Sequence, residues 1–230
     1  MSKLHDRNAP SAPPDAAAAR AWVGVAGLLA LAALAGAGLS SSALAGALLS
    51  STALAGAPLS QAALDWQPAR WLIEPWRAFT AIGVHYSGAH LLGNLAGVAL
   101  AALLGVGARV PARLAWAWLA AWPLTQLGLL GLAPSLAHYG GLSGVLHAGV
   151  AIVVVDLLVR GSRAQRWVGA ALGLGLLAKL LSETPWGPVL RVAPGWDITV
   201  APIAHSSGAV AGVVCAGLAH SAHAWLSRRT

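Results

Sequence analysis

The chain has 230 residues, of which 57% are hydrophobic and 9% charged, with a mean hydropathy of +0.70. Soluble domains carry about 25% charged residues, so seven acids and fourteen bases cannot solvate a globule of this size; a soluble enzyme, a disordered chain and a disulfide-stapled secreted domain are excluded. The net charge of +7 and the pI near 11.1 come from bases scattered singly between apolar runs, which is the pattern of membrane topology and excludes nucleic acid as a partner.

Residues 1–20 are polar and rich in Pro and Ala, and are expected to form a disordered cytoplasmic tail. The first apolar span runs from Ala21 to Leu39. A signal peptide over residues 1–45 is the competing reading, because the small-x-small sequence Ala43-Leu44-Ala45 follows the apolar run. Residues 33–62 contain three copies of a ten-residue repeat, ALAGAGLSSS, ALAGALLSST and ALAGAPLSQA. A period of ten matches no solenoid class, so residues 40–69 read as a low-complexity linker, with Pro58 ending any continuous helix. An interfacial helix is disfavoured because no basic residues line a polar face.

From Asp65 to Ser87, Trp66, Trp71 and Trp76 mix with Arg70 and Arg77, which suits an outer interface loop. Further spans follow at His90–Val106, Leu114–Leu132, Leu142–Val159, Trp167–Leu181 and Ile203–Trp225; the fifth is short and contains Lys179. The expectation is an all-α membrane protein with six transmembrane helices. With both termini in the cytoplasm, ten Lys and Arg residues lie inside (Lys3, Arg7, Arg20, Arg109, Arg113, Arg160, Arg163, Arg166, Arg228 and Arg229). Four lie outside or near it, namely Arg70, Arg77, Lys179 and Arg191. The positive-inside rule selects that orientation.

Polar residues within a span are costly and need a partner or a role. The second span opens with His90 and Asn94, which share a helix face. The fourth opens with Gly141-Leu142-Ser143-Gly144, where glycines leave room for close backbone approach. The sixth opens with His205, and Gly208 and Gly212 form a GxxxG spacing for helix contact. In the chosen topology all three sites fall at the outer ends of their helices. Acyl transfer fits these residues: Ser143 as nucleophile, His205 as base, and His90, the Asn94 amide and the Ser143 N–H as oxyanion donors. Asp156 lies at the other membrane face and Asp197 in a loop, so a Ser–His dyad is expected without an acid.

Other readings compete. GxSG and GxxxG also occur at plain helix contacts, and His90 and Asn94 also serve as interhelical hydrogen-bond partners. His90, His147 and His205 are potential zinc ligands, but no carboxylate or thiol accompanies them and no metal is expected. His220, His223 and His5 read as solvated or interfacial, and His85 and His138 as structural. No cofactor motif is present.

These residues together resemble the rhomboid family of intramembrane serine proteases. Glu74-Pro75-Trp76-Arg77 with Thr80, His85, His90 and Asn94 is similar to the family's first outer loop and second helix. Gly141-Leu142-Ser143-Gly144 matches GxSG, and Ala204-His205 through Gly208 to Gly212 matches AHxxGxxxG. The resemblance covers about residues 70–226 and implies a catalytic core over 70–230. It implies Ser143 as nucleophile, His205 as base, His90 and Asn94 at the oxyanion, and Trp76 and Arg77 in a structural loop. Many rhomboids carry tyrosine four residues after the serine, where this chain has His147. That feature, in a compact chain, is similar to the rhombosortases of bacteria. It implies an inner-membrane enzyme whose partners are lipids and exported proteins with a C-terminal Gly-Gly transmembrane anchor. A catalytically inactive rhomboid-like binder of membrane helices and a histidine-based proton transporter are the rival functions; the polar residues cluster on one side, which disfavours a transporter.

Overall fold

The computed structural model describes residues 16–40 and 60–229. In chain order the long helices are α1 (Ala16–Ser40), α4 (Gly88–Gly107), α5 (Ala112–Leu132), α6 (Ser143–Arg160), α7 (Arg163–Ser182) and α8 (Pro202–Leu226). Two short helices, α2 (Gln61–Leu64) and α3 (Arg77–Thr80), lie between α1 and α4. A hairpin of β1 (Arg191–Val192) and β2 (Thr199–Val200) joins α7 to α8. Among the described residues α1, α4, α6 and α8 are long and apolar enough to cross a membrane. Helices α5 and α7 are of similar length, 21 and 20 residues. Their hydropathy is lowered by tryptophans, Pro123 and Gln126 in α5 and by Arg163, Arg166 and Lys179 in α7.

Boundaries depart from the sequence expectation at three places, one of them α7, which begins at Arg163, four residues before the expected Trp167. Helix α1 begins at Ala16, so residues 16–20 are helical and not part of a tail; Ala16–Ala19 are strong helix formers that extend the apolar segment. Residues 1–15 and 41–59, which include most of the repeat, lie outside the described residues. The expected linker end at residue 69 is also too late. Asp65 and Trp66 are buried, and Trp66 exchanges backbone hydrogen bonds with Tyr139.

Around them the loop is held by ion pairs. Arg77, 4% exposed, donates to the backbone oxygens of Ala62 and Asp65 at 2.8 Å each and pairs with Glu74 and the Asp65 carboxylate. The other Asp65 oxygen accepts from Tyr86 at 3.3 Å and stands 2.7 Å from His138 Nδ1. A buried guanidinium is tolerable when its charge is matched, and here Asp65 and Glu74 supply the opposite charge. Trp76, in contrast, is half exposed and points away from the bundle interior.

Helix α6 is the centre of the bundle, packing on α4, α5, α7 and α8. Between His147 and Asp156 its residues are all apolar or glycine, as suits a helix enclosed by others. Trp22 of α1 stacks on Trp118 of α5 with ring centroids 4.5 Å apart. Each indole N–H reaches a backbone carbonyl, Trp22 to Ala101 at 3.0 Å and Trp118 to Val145 at 2.8 Å. Neither buried indole is left unpaired, so the rings contribute their full apolar burial.

Helices α6 and α8 meet backbone to backbone. A Cβ at Gly208 would overlap the carbonyl of Gly144, and one at Gly212 that of Ala148. From the other side, a Cβ at Gly144 would come within 2.8 Å of the Ala204 oxygen. Ser207 adds a hydrogen bond from α8 to the Thr125 carbonyl of α5 at 2.7 Å. At the end of the bundle away from Ser143, Asp156 pairs with Arg160, and His220 Nε2 stands 3.3 Å from the same carboxylate. His220 is thus partly enclosed beside the fully buried Asp156, which needs polar neighbours.

Gly212→Leu is expected to force α6 and α8 apart, with a cost of about 1–3 kcal/mol or more for overpacking. Thermal unfolding in detergent should show the loss, and an unchanged melting temperature would refute the close contact.

Candidate active site

Ser143 is the first residue of α6, so its N–H has no carbonyl partner within the helix. His205 lies in the first turn of α8. The contact of α6 with α8 places the two side chains together: Ser143 Oγ is 2.9 Å from His205 Nε2. The His147 ring, one turn along α6, stacks on His205 with centroids 4.3 Å apart and planes at 10°. His147 Nδ1 donates to the Ser143 carbonyl at 2.7 Å, which fixes the ring against rotation.

His90 and Asn94 project from α4 toward the same point and are 7% and 4% exposed. Gly141 has φ +124°, a conformation open to glycine and strained for other residues. A Cβ there would lie 2.7 Å from His90 Nε2 and 3.7 Å from Asn94 Nδ2. Glycine therefore leaves two side-chain donors facing the backbone just before Ser143. Asn94 Nδ2, which faces this backbone, has no hydrogen-bond partner among the described residues; in His90 the unpartnered nitrogen is Nδ1, and Nε2 is the one beside Gly141. Unpaired buried donors are costly, and such groups belong where a ligand or intermediate brings an acceptor.

These residues line a cleft of about 970 Å³. Its walls are α4, through Gly97 and Leu100, and α7, through Ala171 and Gly175; α6 forms its floor. The β1–β2 hairpin covers the Ser143 end, with Trp196 edge-on to His90 at 6.3 Å. Ser87 fastens this cover. Its hydroxyl donates to Asp197 at 2.7 Å while accepting the N-capping bond from His90 N–H. Of the other sequence candidates, Gly144, Gly208 and Gly212 form the helix contact beneath the pair. Trp76 and Arg77 belong to the loop beside α5 and do not line the cleft.

One contact corrects the expectation that His205 has no acid. Glu183, just past the end of α7, places Oε2 2.7 Å from His205 Nδ1. Its other oxygen pairs with Lys179. Arg191 Nη1 donates to the Glu183 carbonyl at 2.5 Å and to the Thr184 hydroxyl. Burial disfavours the ionised form of Glu183, but the bond from His205 and the Lys179 ammonium outweigh it and hold its carboxyl down at about 2. The carboxylate therefore keeps its partners at neutral and mildly acidic pH and loses them only as the pH falls toward about 2. The available signal was Lys179: a lysine in an apolar span with an acid four residues on. The topology also puts Glu183 at the same end as Ser143.

The arrangement is chemically competent for acyl transfer: a hydroxyl on a base, and donors beside it for an oxyanion. No group of three or more His, Cys, Asp or Glu residues suited to a metal occurs among the described residues. Asn94→Ala should slow labelling of Ser143 by a fluorophosphonate about 10²–10³-fold, the usual loss for one oxyanion donor. It should leave thermal stability equal or higher, because it removes an unpaired buried amide. Equal labelling rates in the two proteins would remove Asn94 from this role.

Comparisons with protein-family models, with curated proteins and with solved structures each find no match to this chain.

Proposed function

We propose that this chain is an intramembrane serine endopeptidase whose motif residues resemble those of the rhomboids. Ser143 is the nucleophile and His205 the base, and Asn94, His90 and the Ser143 N–H receive the oxyanion. The observation that carries the reading is the 2.9 Å approach of Ser143 Oγ to His205 Nε2 beside an Asn94 amide that has no partner among the described residues. A helix contact alone does not explain the cleft on which Ser143, His205 and Asn94 converge.

Six spans with both termini in the cytoplasm fit the distribution of bases. Helices α5 and α7, at 1.5 Å per residue, reach about 30 Å, the thickness of a bilayer core. The protease site then lies in the outer half of a bacterial inner membrane. The cleft between α4 and α7 has apolar walls along the helices and polar groups at one end. That shape suits an apolar segment of chain whose scissile bond is presented near the membrane surface.

A substrate helix has every backbone carbonyl already paired, so it must open locally before Ser143 can attack. Glycine weakens a helix interior by about 1 kcal/mol relative to alanine. Two glycines at the outer end of an anchor lower the cost of opening and pass Gly141 and the Trp196 cover without side-chain clash. The favoured substrates are exported proteins with a C-terminal membrane anchor and a small-residue segment at its outer end. The rhombosortase resemblance supplies Gly-Gly as the identity of that segment.

Ser143→Ala and His205→Ala should each abolish cleavage of a reporter carrying such a tail, and the double variant should add little because the pair acts as a unit. Turnover surviving in purified Ser143→Ala would overturn the proposal. Mass spectrometry of the released domain should place its new C-terminus at the glycine segment. Equal processing of a tail with leucines in place of the glycines would refute the specificity alone.

A further inference from the structure

The Ser143–His205 pair leaves the acid beside it unexplained. We propose that Glu183 is a positioning residue for His205, making the site a Ser143–His205–Glu183 triad. This rests on the reading of Ser143 as nucleophile and His205 as base.

A neutral imidazole carries one proton, on either nitrogen. An ionised carboxylate only accepts hydrogen bonds. With Glu183 Oε2 at 2.7 Å, that proton is held on Nδ1. The lone pair on Nε2 is then directed at the Ser143 hydroxyl 2.9 Å away. Without the carboxylate either tautomer is open, and the one with hydrogen on Nε2 is unable to take the serine proton. Stacking on His147 fixes the plane of the ring, and Glu183 fixes its rotation within that plane.

The second effect is on charge. When Ser143 Oγ bonds to the substrate carbonyl carbon, the carbonyl π pair moves onto its oxygen and the hydroxyl proton passes to Nε2. His205 is then a cation in a partly enclosed site, and the Glu183 carboxylate lies against it. The carboxylate stays ionised throughout. When the C–N bond breaks, the proton leaves Nε2 for the departing amine nitrogen. Water then repeats the sequence on the acyl-enzyme and returns the proton to Ser143 Oγ. Only the two charged intermediates gain from the carboxylate, so its effect falls on turnover and not on substrate binding.

Glu183 is itself prepared for this role. Lys179, one turn back on α7, occupies Oε1 and leaves Oε2 to the histidine. Arg191, reaching from β1, holds the Glu183 and Thr184 backbone region at the end of the helix. The carboxylate is largely shielded, with its side chain 18% exposed, whereas that of Lys179 is 52% exposed. Lys179 therefore has a route to the surface, and Glu183 does not turn away from the site to find water.

The test uses the full chain in detergent with the Gly-Gly reporter and a fluorophosphonate probe, comparing wild type, Glu183→Gln and Glu183→Asp. The amide keeps the size of the side chain and removes its charge. Glu183→Gln should lower kcat and the labelling rate of Ser143 about 10²–10⁴-fold, the range for acid–base and triad groups. KM and the melting temperature should stay at their wild-type values. Glu183→Asp, one methylene shorter, should recover part of the rate. A Glu183→Gln rate within about threefold of wild type overturns the proposal. So does a loss of rate that follows a fall in melting temperature and is not recovered by aspartate, which marks a packing role. A wild-type protein in which the probe leaves Ser143 unlabelled and the reporter intact instead overturns the protease reading beneath it.

Discussion

The separation of α6 and α8 governs the site. Ser143 and His205 are 62 positions apart in sequence, and no local structure joins them. Their 2.9 Å approach follows from two helices meeting where Gly208 faces Gly144 and Gly212 faces Ala148. Ordinary helix pairs lie 8–10 Å apart, depending on the side chains between them. Here three of the four facing residues are glycines and the fourth is Ala148, with Ser143 next to Gly144 and His205 one turn before Gly208. A larger residue at Gly144, Gly208 or Gly212 would move Ser143 relative to His205 through the spacing of the helices.

Several large polar side chains of the core find partners, as with the indoles of Trp22 and Trp118 and the guanidinium of Arg77, whereas Trp66 Nε1 and the Gln126 amide do not. At the site Asn94 presents an unpaired donor, and Gly141 takes a backbone conformation that strains other residues. An unpaired donor such as the Asn94 amide beside Ser143 is what a preorganised environment for a charged intermediate requires. The Asp65–Arg77–Glu74 cluster serves a different end. It rigidifies the loop beneath Gly141, whose N–H bonds to the Ala81 carbonyl at 2.9 Å.

The sequence reveals most where physics is local. The apolar segments that became α4, α5, α6 and α8 are visible to within about two residues, because a stretch of uncharged residues of that length has few other fates. Ser143, His90 and His205 stand out because polar side chains are rare in such segments. The start of α1 was misjudged because Pro13 and Pro14 lend a disordered character that ends at once in an alanine run. Glu183 escaped because its partnership with His205 spans 22 positions and depends on how the end of α7 meets the start of α8. Asp65 and Trp66 escaped for the same reason: a buried aspartate in a loop is recognisable only once Arg77 and His138 are beside it.

Helix α7 differs from its neighbours in how it is held. Gly169 is its one buried residue among those described, and the helix leans on α6 while barely touching α8. Arg163 and Arg166 charge one end, and Lys179 with Glu183 the other. On the six-span reading these charges seek the two headgroup layers, so bilayer thickness helps to set the height of the helix. On that reading Ser143 and His205 sit on the closely packed α6–α8 pair, whereas Glu183 ends a helix with a single buried residue and is tied to the site through His205 and Arg191. In the proposed triad the acid and the base it positions are thus carried by helices with different degrees of packing, and membrane thickness becomes a quantity on which their alignment depends.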